Sequence, residues 1–409
     1  MTENTAGSGQ IYVALKPLTF ICALFGLFPC SFGRNRADRT EPTVCVFLNI
    51  VCSLVWICLF AVRLCLKLLH LSSDNVTKVR ILTEMSVIST HFTSIICLVH
   101  LSIVCKNKFI RLLEKVSQAD YGLFTLSEEK YVNRRTNFII ITELAVMLLL
   151  FISYEISYEI YTAQTRSKRE VLDYITQVIT LSSYICNTLT VLLINNCVLI
   201  VTQRQRHLNK QLTTFISCPN RVNKISYCGH IKPINKRNAT TPYVSLIRVE
   251  TSNHVSGNQE IHSIRILYNQ LYDVACIVNY LYGLPLLAMS CWILLDLVLI
   301  TYVAVTSLDV DFIITNSKDI IFFLIFLKMI IMCQISENEI QSSIILVQKV
   351  MLEDDLGYKD CKELLMLSAQ LRDMKIKYTA CKFFTLNLPY LCSVVGAVVS
   401  YVIIMIQIE

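Results

Sequence analysis

Seven stretches of this chain stay apolar for long enough to cross a bilayer: 43–68, 81–104, 137–161, 171–202, 277–306, 319–335 and 383–407. A helix rises about 1.5 Å per residue and needs roughly 20 residues to span the hydrocarbon. Runs such as Val191–Ile200 and Ile320–Leu327 are continuous rather than alternating. In lipid the backbone must satisfy its own hydrogen bonds, so each stretch is expected to be a helix. The sixth is the shortest. A further apolar run, Leu18–Phe28, is too short to cross, and residues 11–32 are expected to form an interfacial or partly buried helix. Pro17, the acidic Glu3 and the lack of a small-x-small site after the run argue against a signal peptide.

The segments between the spans differ in pattern. Residues 206–260 are rich in Asn, Thr, Ser, Lys and Arg, lack periodicity, and are expected to be a largely disordered linker. Helical spacing returns at Ile264, Leu267, Leu271, Val274, Ile277 and Val278, which extends the fifth helix out of the membrane. Ile340, Ile344, Val347 and Val350, then Leu364, Leu367 and Leu371, mark amphipathic helices before the seventh span. Such stripes need partners, so a helical bundle outside the membrane is expected. The resulting organisation is an N-terminal segment 1–42, six spans over 43–335 with a long loop at 203–262, anchor helices over 336–382, and a last span within 383–409. The fold class is therefore an all-α membrane protein with seven transmembrane helices.

Composition agrees. Of the 409 residues 54% are hydrophobic and 16% charged, against about 25% charged in soluble domains. The net charge of +7 does not point to nucleic acid, because the basic residues flank the apolar stretches. Most of the 37 Lys and Arg residues fall in the N-terminal segment and in the loops after spans two, four and six. The positive-inside rule then places the N-terminus and the helical extensions in the cytosol and the C-terminus outside. Asn75, in Asn75-Val76-Thr77, falls on the outer side and is the glycosylation candidate; Asn238-Ala239-Thr240 falls inside. The 18 cysteines include no Cys-x-x-Cys pair, and about half sit in apolar runs as small hydrophobes. Cys218 and Cys228 share a polar loop with His230 and are expected to be free thiols. No G-x-S-x-G, H-E-x-x-H or P-loop is present, so neither an enzyme nor a cofactor or metal is expected.

The seventh span carries the most information. Ser393, Gly396, Ser400 and Gln407 recur at spacings of 3, 4 and 7, on one helical face. Packing through small residues and a pore lining both account for such a stripe. Gln407, whose amide needs partners or water, weighs toward the pore. The end of this span, Ser400-Tyr401-Val402-Ile403-Ile404-Met405-Ile406-Gln407-Ile408, resembles the Thr-Tyr, five hydrophobics, Gln-Phe signature of insect gustatory receptors. Ser replaces Thr and keeps the hydroxyl; Ile replaces Phe and loses the ring. Phe383-Phe384-Thr385-Leu386-Asn387, Gly396-Ala397-Val398-Val399 and Leu271–Gly283, with Asn279 before Tyr282-Gly283, are also similar to that family.

The resemblance implies a tetrameric cation channel of like or related subunits, in the plasma membrane of a chemosensory neuron. The seventh helices would line its pore, and Gln407 and Ile408 would lie at an extracellular gate. Its partners would be a small-molecule tastant, permeant cations and the lipid bilayer. Tyr154, Glu155 and Tyr158, His91, Asn187, and Trp292 with Asp296 at i, i+4 lie in the outer halves of spans and are the candidate ligand contacts. Carboxylates that accept hydroxyl hydrogens and rings that stack on C–H faces suit a sugar. Two alternatives for His91 and Asp296 are a satisfied core histidine and an ion pair with Lys328. Arg63 and Lys67 are expected to snorkel to headgroups. An odorant-receptor-like channel is the nearest alternative. A G-protein-coupled receptor lacks its Asp-Arg-Tyr and Asn-Pro-x-x-Tyr marks here, and a transporter lacks internal symmetry.

Overall fold

The computed structural model describes residues 10–27, 43–71, 78–165, 171–216, 257–306, 310–352 and 358–407. Ten α-helices and one two-stranded ribbon make up these segments. In chain order they are α1 (Gln10–Leu24), α2 (Thr43–Leu71), α3 (Lys78–Val99), α4 (Lys106–Leu123), α5 (Leu126–Thr165), α6 (Val171–Ile216), α7 (Gly257–Thr306), α8 (Val310–Met351), α9 (Tyr358–Asp373), β1 (Thr379–Ala380), β2 (Phe384–Thr385) and α10 (Leu388–Gln407). Seven of them, α2, α3, α5, α6, α7, α8 and α10, are long and apolar enough to cross a membrane. The expected seven spans are thus found, several of them longer than the apolar run that announced them. α8 carries the sixth span straight on to Met351, and α7 reaches back to Gly257.

α6 is the hub. Its apolar window is 89% buried, whereas that of α10 is 17% buried. It packs along α8 and touches α3 and α7. Cys186, Cys197, Val191, Leu192, Leu193 and Ile194 on it are all buried, which explains why its sequence is apolar all round.

The N-terminal helix is buried through Ile11, Leu15, Leu18 and Cys22, at helical spacing, and packs against α5. Its end is a Schellman motif: Leu27 N–H donates to Cys22 O (2.9 Å) and Gly26 N–H to Ala23 O (3.0 Å). Gly26 takes φ +71°, and a Cβ there would lie 2.5 Å from Ser53 Oγ. Ser53 and Ser102 hydroxyls both donate to Gly26 O at 2.5 Å, so this glycine ties α1 to α2 and the end of α3.

α4 was not among the expected helices. α3 ends in a short π-helical turn, His100–Val104, and the chain bends at Cys105 into α4. α5 then starts with a capping box, in which Thr125 N–H donates to Glu128 Oε2 (3.0 Å) and Glu128 N–H to Thr125 Oγ1 (3.4 Å). α4 is held to α6 by a buried bidentate pair: Arg204 Nε and Nη2 donate to Asp120 Oδ1 and Oδ2 at 2.8 and 2.7 Å. Arg204 Nη2 also reaches Asn133 Oδ1 of α5 (3.3 Å), so one guanidinium joins three helices. Asp120→Ala leaves that guanidinium buried and unpaired, at an expected cost of about 3–5 kcal/mol. The thermal unfolding midpoint of the detergent-solubilised chain should fall sharply, and Asp120→Leu with Arg204→Met should recover most of the loss.

Candidate functional site

Four helices converge on one polar and aromatic cluster. α7 supplies Trp292 and Asp296 one turn apart. α8 supplies Asp319 and Phe322, α6 supplies Tyr184 and Asn187, and α3 supplies Ser86, Thr90 and Ser94. The Ser86 hydroxyl donates to Asp296 Oδ1 and the Tyr184 hydroxyl to Asp319 Oδ1. Trp292 meets Tyr184 edge-on with ring centroids 5.4 Å apart, and Phe322 at 4.2 Å. Asn187 Nδ2 donates to Thr90 O (3.3 Å), while Ser94 Oγ donates to Asn187 Oδ1 and Ser183 O, both at 3.1 Å. Asp296 and Asp319 are 5% and 6% exposed. Both line a small cavity of about 60 Å³ with Ile293, Leu297, Ile300, Ile320, Phe322 and Phe323. Charge and aromatic surface therefore meet inside a membrane bundle, where each is costly without a partner.

The sequence-derived candidates divide into groups. Trp292, Asp296 and Asn187 belong to this cluster. His91 follows Thr90 on α3 and its ring faces Phe60 of α2 at 5.7 Å. It is fully buried and neither ring nitrogen has a hydrogen-bond partner among the described residues, so it is not a satisfied core histidine. Tyr154, Glu155 and Tyr158 lie along α5. Tyr154 and Tyr158 stack at 5.9 Å, and Glu155 Oε2 accepts from Gln177 Nε2 of α6 at 2.7 Å. Ser86, Thr90, Ser94, Asp319 and Phe322 are the contacts that sequence reasoning missed. Asp319 stood at the border of the sixth span, and its helical phase toward α7 was the available signal.

Two expectations for basic side chains are corrected. Lys328 pairs with Glu143 of α5 at 2.5 Å and not with Asp296. Asn195 and Asn196 amides of α6 donate to the same carboxylate, both at 3.1 Å. Lys67 does not simply snorkel; it grips Glu84 of α3 at 2.5 and 2.7 Å. The helices carry these pairs because a lone charge in hydrocarbon costs several kcal/mol.

Of the seven, only α2 has a less buried apolar window than α10. The buried residues Val398 and Val402 of α10 press on Val298, Leu299, Tyr302 and Val303 of α7. Ser393, Gly396, Ser400 and Gln407 are exposed and lie on the side away from Val398 and Val402 at about 100° per residue. A Cβ on Gly396 would meet nothing within 4 Å, so within one chain this stripe packs on nothing. The Ser393 and Ser400 hydroxyls donate to Pro389 O (3.1 Å) and Gly396 O (2.9 Å), so neither needs an outside partner. Ile408 and Asn75 lie outside the described residues.

The seventh helix starts at Leu388 rather than at 383. Asn387 caps it through Tyr390 N–H to Oδ1 (3.2 Å), and Pro389 fits its first turn. Residues 379–385 form the β1–β2 hairpin instead, its turn built on Cys381 (φ 50°) and Lys382 (φ 65°). That hairpin explains two residues of the Leu271–Gly283 stretch. Asn279 Nδ2 donates to Lys377 O (2.6 Å), and its Oδ1 accepts Thr379 N–H (2.9 Å). A Cβ on Gly283 would approach Cys381 N to 3.1 Å. On the other side Leu388 N–H donates to Gln334 Oε1 of α8 (3.2 Å). The base of α10 is thereby fixed to α7 and α8.

A family model for the seven-transmembrane chemosensory receptors matches residues 15–409. The chain belongs to that family. No curated protein sequence matches it significantly. Among solved structures it is similar to the insect olfactory receptor OR5 from Machilis hrabei, with a TM-score of 0.66 and 12% identity over 98% of this chain and 100% of that one. The same receptor in complex with eugenol gives 0.64 and 12%, over 98% and 99%. The seven apolar helices and the family make this chain a multi-pass α-helical membrane protein, and its fold is shared with that olfactory receptor.

Gly283→Val should force the hairpin off α7 at about 1–3 kcal/mol, with Gly283→Ala costing less. Thermal unfolding of the solubilised chain checks the order.

Proposed function

We propose that this chain is a subunit of a gustatory-type, ligand-gated, non-selective cation channel. A small polar tastant binds among Trp292, Asp296, Asn187 and their neighbours, and the α10 helices of four subunits line the pore. The N-terminus lies in the cytosol and the C-terminus outside, which places the cluster in the outer half of the plasma membrane of a sensory neuron. The observation that carries the reading is α10. It is apolar enough to span, it is mostly unpacked in one chain, and its polar stripe points away from the face held by α7. A stripe of small and polar residues that packs on no other helix of its own chain suits water in a shared axis better than lipid. Tyr154, Glu155, Tyr158 and His91 are assigned to a flanking part of the same ligand region. Ile408 is assigned to the gate beside Gln407, and Asn75 to a glycosylated outer loop.

A sugar suits the carboxylate and ring chemistry. The cavity of about 60 Å³ admits only part of one, so a sugar would also have to part α7 from α8. An odorant-receptor-like channel is the second reading. It is favoured by the likeness to an olfactory receptor whose structure holds eugenol, which also supports a small-molecule ligand.

Cells expressing the chain, alone and with co-expressed receptor subunits, should pass a rapid cation current to one class of tastant with G-protein signalling blocked. Gln407→Ala should change basal current or gating at equal surface expression. Currents that vanish when G-protein signalling is blocked would refute the channel.

A further inference from the structure

The outer face of α1 carries one charge among apolar side chains. Val13, Lys16, Phe20 and Leu24 recur at helical spacing and are all exposed, while Ile11, Leu15, Leu18 and Cys22 on the other side are buried. Asn137 of α5 fixes the start of this helix, since its Nδ2 donates to Val13 O (3.4 Å). Lys16 lies one turn along α1 from that contact. Arg134 lies one turn, and Lys130 two turns, along α5 from Asn137, on the side of α5 that meets α1, and both are exposed. A turn is about 5 Å, so Lys16 and Arg134 each stand about 5 Å along their helices from the contact and Lys130 about 10 Å. Tyr131, Arg135 and Phe138 share the next face of α5 and are exposed too.

Among the described residues no carboxylate pairs with Lys16, Lys130, Arg134 or Arg135, whereas Lys115, Arg206 and Arg265 are paired with Asp273, Glu339 and Glu363. The acidic residues at the start of α5 are engaged elsewhere: Glu128 caps the helix through Thr125, and Glu129 is buried beside Asp120 and Arg204. Lys130 and Arg134, four residues apart, repel each other. The positive-inside rule accounts for basic residues just before Phe138. It does not account for Lys16, which α1 presents between Val13 and Phe20, inside an apolar stripe. A lysine so placed is costly in lipid unless its ammonium reaches phosphate. The flanking surface suits the rest of such a lipid. Phe20 and Phe138 are 64% and 71% exposed, Leu24 and Ile141 continue the two apolar faces, and Tyr131 stands beside the cations as aromatic residues do at headgroup level.

We infer that the face shared by α1 and the start of α5 binds an anionic phospholipid. Lys16, Lys130 and Arg134 hold the headgroup phosphates, Arg135 flanks them, and the acyl chains lie along Phe20, Leu24, Phe138 and Ile141. A headgroup with several phosphates matches several cations better than one with a single phosphate. The bound lipid joins α1 to α5 across the one polar contact that Asn137 makes between them. The inference rests on the bundle lying in a membrane and not on the channel reading; under the topology proposed above, the leaflet is the cytosolic one.

The test uses the full-length chain in an uncharged detergent and a phosphatidylinositol bisphosphate labelled on its acyl chain, with fluorescence polarisation as the readout. Unlabelled phosphatidylcholine and soluble inositol trisphosphate serve as competitors, one with tails and no net charge, the other with phosphates and no tails. The expected result is saturable binding that neither competitor displaces as well as the unlabelled bisphosphate lipid does. Lys16→Gln with Arg134→Gln should weaken binding by roughly tenfold or more. Lys16→Arg with Arg134→Lys keeps both charges and should stay within about threefold. Arg372→Gln with Lys375→Gln removes the same charge from two exposed cations at the end of α9 and should leave binding unchanged. A flat titration, or equal loss in the Arg372 and Lys375 pair, would overturn the site, the latter by reducing it to overall charge. Equal loss in the charge-keeping pair would assign the effect to altered structure and overturn it too. Equal displacement by inositol trisphosphate would make the face a free-phosphate site, and equal displacement by phosphatidylcholine an apolar one; either excludes the anionic lipid. No current is read, so a flat titration leaves the channel reading standing, and binding in a chain that never conducts leaves the lipid site standing.

Discussion

Charge inside hydrocarbon is the constraint on which this structure turns. A transmembrane helix needs no partner for its backbone, but a carboxylate or ammonium within it does. The bundle answers by pairing across helices. Lys67 of α2 meets Glu84 of α3, and Lys328 of α8 meets Glu143 of α5 and two α6 amides, while beyond the apolar stretch Arg204 of α6 meets the buried Asp120 of α4. α6 takes part in two of these three sets, which is why so apolar a helix carries Asn195, Asn196 and Arg204. Each pair fixes a rotation and a depth as well as neutralising charge, so the pairs set the register of helices that apolar packing alone would let slide.

Against that background the Asp296–Asp319 cluster stands out as polar chemistry concentrated beside large aromatic side chains. Its neighbours are the largest buried side chains of the molecule, Trp292 and Tyr184 among them. α7 links it to the rest. The same helix that carries Trp292 and Asp296 holds α10 through Tyr302 and Val303 at one end and through Asn279 and Gly283 at the other. Movement of α7 relative to α8 is therefore felt at both ends of α10.

The spans were legible because their length follows directly from the thickness of the hydrocarbon. The α10 stripe was legible because helical phase needs no partner to be computed, and Trp292 with Asp296 because i, i+4 puts them on one face. What stayed hidden depended on contacts between distant residues. Asp120 and Arg204 meet only after α4 has folded back on α6, although Phe109, Leu112, Val116 and Leu123, all buried, did carry a helical period for α4. Lys328 was matched to Asp296 because both lie within spans, yet its depth and rotation bring it to Glu143. The hairpin before α10 carries no glycine at its positive-φ positions Cys381 and Lys382, so its turn left no mark in the residue types. Asn279 and Gly283 were visible as a motif, and their reason appears only with the strand edge and turn that they receive.

The most direct test of the account asks whether water reaches the α10 stripe. Cysteine would be placed at Ser400 and, separately, at Val402, in a background cleared of reactive thiols such as the exposed Cys392. A charged, water-soluble thiol reagent would then be applied during ligand-evoked current. The account predicts rapid modification with a change in conductance at Ser400→Cys and none at Val402→Cys, which faces α7. A conducting receptor in which Ser400→Cys stays inert, or in which both positions react alike, would contradict it.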